Sequence, residues 1–103
     1  MRSVISGKIY DTKTATEICQ LVCPYYRSDF GWHCTHLYRS PKGRFFLAGE
    51  GYAASMWATH HSDGGRSSGS GMRVIDRDEA RSICEDAGLT PEVIAKYFEI
   101  EIG

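Results

Sequence analysis

Two apolar-aromatic runs lie between Trp32 and Tyr52 and flank Ser40-Pro41-Lys42-Gly43. This arrangement limits what the chain can fold into more than any other. Proline at the second turn position and glycine at the fourth suit a type I turn followed by a glycine-stabilised bulge, so the segment is predicted to be a β-hairpin. Strand alternation puts Trp32, Cys34, His36 and Tyr38 on one face of its first arm, and His33, Thr35, Leu37 and Arg39 on the other. On the second arm Phe45, Phe46 and Leu47 bring bulk to both faces, while Gly49 and Gly51 allow a bend or a close backbone approach.

The elements around the hairpin follow from local chemistry. Ser3 to Tyr10 has β-type composition interrupted by Gly7, a residue that often marks a bulge, and reads as a first strand. From Thr14 to Cys23 the three- and four-residue spacing of Ile18, Leu21 and Val22 allows a short helix, whereas the β-branched residues favour a strand; Pro24 ends either one. His60 to Gly71 contains no apolar residue and is expected to be a mobile loop, because burial cannot offset its ordering entropy. Met72 to Ile75 reads as a brief strand.

Asp76 is placed as N-cap of a helix over Arg77 to Ala87, with Glu79 completing a capping box and Gly88 as the stop signal. Its apolar stripe is Ala80, Ile83, Cys84 and Ala87. Thr90 and Pro91 open a second short helix. Strict alternation over Phe98 to Ile102 predicts a terminal half-exposed strand. The fold class is therefore α+β: a small antiparallel sheet centred on the hairpin and packed against one or two C-terminal helices, as a single domain over residues 1–103. Phe45, Phe46, Leu47, Ile83 and Cys84 are expected in or against the core.

Length and composition exclude several classes. A chain of 103 residues with 42% hydrophobic residues and a formal charge of -1 is too short for a multi-domain enzyme and too neutral for a nucleic-acid coat protein. No run approaches the roughly 18 apolar residues of a membrane span, and the start has no apolar stretch of the secretory kind. The reading is cytoplasmic, with Cys19, Cys23, Cys34 and Cys84 kept as thiols.

Charge is unevenly distributed. Residues 1–52 carry 7 basic and 4 acidic side chains, against 5 basic and 9 acidic over residues 53–103. The acidic helices offer Asp78, Glu79, Glu85, Asp86 and Glu92 to a protein partner with a basic surface, which would raise the association rate; a merely solvated helix face explains the same charges. At the hairpin tip Arg39, Lys42 and Arg44 beside Tyr38, Phe45 and Phe46 could contact single-stranded nucleic acid, although edge hairpins also carry such charges to discourage aggregation.

Three arrangements have the residue types of a chemical site. Cys19, Cys23, Cys34 and His36 could supply four zinc ligands if the segment before Pro24 is helical, but the spacing is no established zinc signature and buried free thiols account for it. Cys34 with His36 as base has same-face geometry, yet a separation of about 7 Å by strand rise and the lack of an identifiable third group argue against catalysis. His60-His61-Ser62-Asp63 holds hydrolytic residue types in a loop too polar to preorganise them. No cofactor is indicated, and no enzyme activity is expected.

Tyr10-Asp11-Thr12-Lys13-Thr14-Ala15, taken with Leu37-Tyr38-Arg39-Ser40-Pro41-Lys42-Gly43-Arg44-Phe45-Phe46-Leu47-Ala48-Gly49-Glu50-Gly51, resembles a group of small proteins on bacterial chromosomes, plasmids and phages. Some of that group are associated with anti-CRISPR activity. The likeness implies a non-enzymatic inhibitor from a mobile genetic element that binds a Cas effector or surveillance complex in the host cell. It names no catalytic residue.

Overall fold

The computed structural model describes all 103 residues. Its centre is a four-stranded antiparallel sheet in the order β3-β4-β5-β8, from strands β3 (Thr16–Gln20), β4 (His33–Arg39), β5 (Phe45–Gly51) and β8 (Gly69–Ile75). The predicted hairpin is β4 with β5. Its turn closes as expected, with the Gly43 N–H donating to the Ser40 carbonyl at 2.9 Å and Gly43 at φ 84°.

Register assigns the faces. Leu37 pairs with Leu47 and Tyr38 with Phe46, so the two faces bury different residues. On the first face Leu37, Phe45, Leu47 and Ile75 pack beneath two helices, α1 (Arg77–Asp86) and α2 (Pro91–Ala95), through Ala80, Cys84, Ile94 and Phe98. On the second, Tyr10, Phe46 and Ala48 form a smaller cluster with Tyr38 and Met72. The five residues expected at the core are there, Ile83 being half-buried against the main cluster.

Both N-caps hold, but the capping box at Asp76 is only half formed, because the Glu79 carboxylate accepts from Arg73 at 2.7 Å instead of returning to the Asp76 N–H. Asp76 accepts from the Glu79 N–H at 2.8 Å, and Thr90 accepts from the Val93 N–H at 3.4 Å. Three expectations need correction, and one open choice is settled. The first segment is a hairpin, β1 (Arg2–Ile5) with β2 (Lys8–Asp11), and not one bulged strand. Ser6 and Gly7 both have positive φ, the two-residue turn whose twist suits a tight hairpin. The ambiguous stretch before Pro24 is the strand β3, consistent with its β-branched content.

Within the expected loop, β6 (Thr59–His60) pairs with β7 (Arg66–Ser67), and Gly69 to Gly71 extend β8 along β5. Backbone pairing there does not require apolar side chains. Finally, Phe98 to Ile102 is not a strand. The Phe98 N–H donates to the Ile94 carbonyl at 3.0 Å, so the chain is still turning, and its ring stacks on Phe45 at 4.9 Å. Ile100 and Ile102 remain exposed.

The Tyr10–Ala15 motif works structurally. Tyr10 is buried edge-on against Phe46 at 5.3 Å, and Asp11 folds the following turn by accepting from the backbone of Lys13, Thr14 and Ala15. That turn carries the chain from the small hairpin into β3. No helix is long and apolar enough to cross a membrane.

Candidate functional site

The main chemical cluster lies on the sheet face opposite the helices. On β4, Cys34 and His36 project from that face two residues apart, and the side chains lean together so that Sγ and Nε2 are 3.5 Å apart. The strand rise of about 7 Å separates their backbones, not their tips. The third group missing from the sequence reading is Glu17, whose Oε1 takes a hydrogen bond from Nδ1 of His36. Gln20 adds a fourth, its Nε2 donating to Cys34 Sγ at 3.6 Å.

A bulge makes this convergence possible. Residues three apart on a regular strand point to opposite faces, but the register shift between Glu17 and Cys19 leaves Glu17 opposite Tyr38 and Gln20 opposite His36. Both therefore face the Cys34–His36 pair, as bulges often re-aim side chains. Sequence spacing could not have shown it, because it depends on a register set by tertiary pairing. The cluster borders an open cleft of about 240 Å³, with Tyr38 and Ala48 as its apolar wall and Glu50 across from Cys34.

The proposed four-ligand metal set is not brought together. Cys19 pairs with Leu37 on the helix side and its thiol meets that of Cys84, while Cys34 and His36 are on the other face. Cys23 lies past the end of β3 and donates to the Tyr25 carbonyl at 3.7 Å. No group of three or more His, Cys, Asp or Glu side chains is arranged to hold a metal ion. The β-structure of residues 16–20 removes the helical face on which that set depended.

Burial, with the Cys84 thiol beside it, pushes the Cys19 thiol up to about 12. Since the unfolded thiol ionises near 9, Cys19 contributes stability that is fully present below that value and is lost as the pH rises toward 12. Urea melts should therefore show a falling midpoint above pH 9. Cys19→Ala should flatten this alkaline loss, whereas an unchanged slope would show that the thiol is not held neutral.

A second polar chain runs through the buried sheet face. The indole N–H of Trp57 donates to Thr35 Oγ1 at 2.7 Å, which leaves the threonine hydroxyl to donate to His33 Nδ1 at 2.9 Å. Burial lowers the His33 pKa. This chain satisfies buried groups and orients Trp57; it has no open cleft of its own. His61, just past the end of β6, meets Ser67 of β7 at 2.9 Å, and Asp63 accepts from the Gly65 N–H instead of joining them.

All five acidic helix residues are exposed, but they are not equivalent. Arg81 pairs with Asp78 at 3.3 Å and Glu85 at 3.5 Å, and Arg73 pairs with Glu79 at 2.7 Å. Asp86 and Glu92 have no such partner, and neither do Glu99 and Glu101 beyond them. An acidic groove of about 380 Å³ lies between Arg81, Glu85, Glu99 and Glu101. The unpaired carboxylates lie at the end of α1, on α2 and on the C-terminal tail, with Lys96 the cation at the end of α2.

Arg39, Lys42 and Arg44 are exposed around the hairpin turn. Phe45 and Phe46 are not available beside them, at 5% and 0% exposure. The expected basic-aromatic hairpin therefore loses most of its stacking surface to the core. A different surface combines those chemistries: Arg27 lies 5.0 Å over the Trp32 ring, which meets Tyr52 at 5.0 Å. Phe30 stands 77% exposed nearby. The aromatic-rich stretch after Pro24 was its overlooked sequence signal. No family model, curated protein or solved structure matches this chain.

Proposed function

We propose that this domain is a protein-interaction inhibitor from a mobile genetic element, an anti-CRISPR protein acting in the bacterial cytoplasm on a Cas effector or surveillance complex. The observation that carries the reading is the acidic face of α1, α2 and the tail. Its carboxylates lie off the buried Ala80 and Cys84 stripe, and Asp86, Glu92, Glu99 and Glu101 have no intramolecular cation. Such a face complements the basic groove through which a nucleic-acid-binding complex holds its substrate, and it speeds docking there. Occupying the groove blocks nucleic acid without chemistry from the inhibitor. The resemblance of the Tyr10–Ala15 and Leu37–Gly51 motifs adds the mobile-element setting.

A second reading is single-stranded nucleic-acid binding. It rests on the Arg27, Trp32 and Tyr52 surface, since aromatic rings beside arginine suit stacking on bases. One binding experiment separates the two. Reversing Glu85, Asp86 and Glu92 to lysine should slow association with a purified Cas complex about tenfold or more at low salt and leave the melting temperature nearly unchanged. Added salt should narrow the difference. Full binding and inhibition by that triple variant would refute the acidic-face reading, and loss of labelled single strands on Trp32→Ala would establish the second.

A further inference from the structure

We propose that Cys34, His36 and Glu17 form a thiol acyl-transfer site that hydrolyses short acyl esters bearing no negative charge. This activity is separate from the acidic interaction face, because the cluster and the helices lie on opposite sides of the sheet.

Three features support the assignment. The nucleophile and base are in hydrogen-bond reach, with Cys34 Sγ 3.5 Å from His36 Nε2. The base is held from behind by Glu17 through Nδ1, the arrangement that fixes imidazole tautomer and direction in hydrolytic triads. The β3 bulge brings Gln20 to the same face, where its amide N–H lies 3.6 Å from the sulfur. The oxyanion would form two bonds from that sulfur, on the attacked carbon, and the Gln20 amide is a hydrogen-bond donor on the same face to stabilise it.

The surroundings limit the substrate. A cleft of about 240 Å³ takes a short acyl chain, with Tyr38 and Ala48 as its apolar wall. Glu50 stands opposite Cys34 and disfavours an anionic group near the reacting carbon. Uncharged esters fit both conditions.

In the first step the Cys34 thiol proton passes to His36 Nε2, the sulfur lone pair forms a bond to the carbonyl carbon, and the π pair moves onto oxygen. Collapse breaks the carbon–oxygen ester bond. The leaving alkoxide takes the proton from His36, which gives an alcohol and an acyl thioester on Cys34. His36 then accepts a proton from water as the water oxygen attacks the thioester. Expulsion of the sulfur, with return of that proton, yields the carboxylic acid and the starting thiol. The sum is ester plus water to acid plus alcohol.

The full chain should be incubated with p-nitrophenyl acetate, the reaction followed by nitrophenolate release, and the acetyl group mapped by mass spectrometry. Acetyl is expected on Cys34 before Cys23, with turnover beyond one equivalent. Cys34→Ala and His36→Gln should each lower the rate about 100-fold or more, the usual scale of a nucleophile or general base, while Cys23→Ala should leave it unchanged. Glu17 is a positioning residue, so Glu17→Gln should both lower the rate and move the pH profile, with Glu17→Asp restoring part of each. Mapping on the unmodified sequence needs no variant to fold. Equal acetylation of Cys23 and Cys34, a rate in Cys34→Ala within twofold of the parent, or an unmoved pH profile in Glu17→Gln would each overturn the proposal.

Discussion

Phe46→Ala is expected to destabilise the domain by about 3 to 5 kcal/mol, a large share of the roughly 5 to 15 kcal/mol by which small domains are stable. Phe46 is 0% exposed and is the largest fully buried side chain. Tyr10 meets its ring edge-on and Tyr38 stacks on it, each at 5.3 Å, so truncation leaves two aromatic residues facing a void. The damage should also be local. Because Tyr10 belongs to β2, the β1–β2 hairpin should lose amide-exchange protection before α1 and α2 do. Phe45→Ala should loosen the opposite side, since Phe45 stacks on Phe98 in the tail after α2. A thermal melt checks the size, and exchange at Lys8 to Asp11 checks the place. Two variants that both melt with the parent would overturn the face assignment.

This two-sided core was legible in advance because its determinants are local. Ser40-Pro41-Lys42-Gly43 specifies its turn through proline φ and the positive φ of Gly43, and alternation then assigns the flanking residues to faces. The caps at Asp76 and Thr90 are equally local. The terminal alternation failed because a strand needs a partner, and Phe98 found Phe45 while its backbone was still completing a helical turn. The Cys34–His36 pair was visible as residue types, but Glu17 was not. Its arrival depends on how β3 is registered on β4 across the Ile18 bulge, and the intervening loop does not encode that register. Similarly, the list of acidic helix residues contained no sign that Arg73 and Arg81 neutralise three of the five carboxylates.

Gly49 and Gly51 allow a bend or a close backbone approach, and their pairing with the glycines of β8 makes the close approach the one that matters. Gly49 pairs with Gly71, and Gly51 with Gly69, which creates a strip without side chains where Trp57 lies. A Cβ at Gly49 would stand 2.3 Å from the Cys34 carbonyl oxygen and 2.8 Å from both the Thr35 Cα and Trp57 Nε1. Two of those atoms are backbone of the paired strand, so relief requires breaking β4 from β5. Gly49→Ala should therefore cost about 3 kcal/mol, at the upper end of overpacking, and lower the melting temperature by more than about 10 °C. Gly71→Ala should be much milder, because the added methyl meets only the Trp57 ring, at 3.3 Å. Combining each with Trp57→Ala separates the causes. The Trp57 truncation itself should cost about 3 to 5 kcal/mol, but Gly71→Ala should add nothing to it, whereas Gly49→Ala should add most of its own penalty because the backbone clash persists. Equal melting of the two single glycine variants would show that the indole strip, and with it the β5–β8 register, is misassigned.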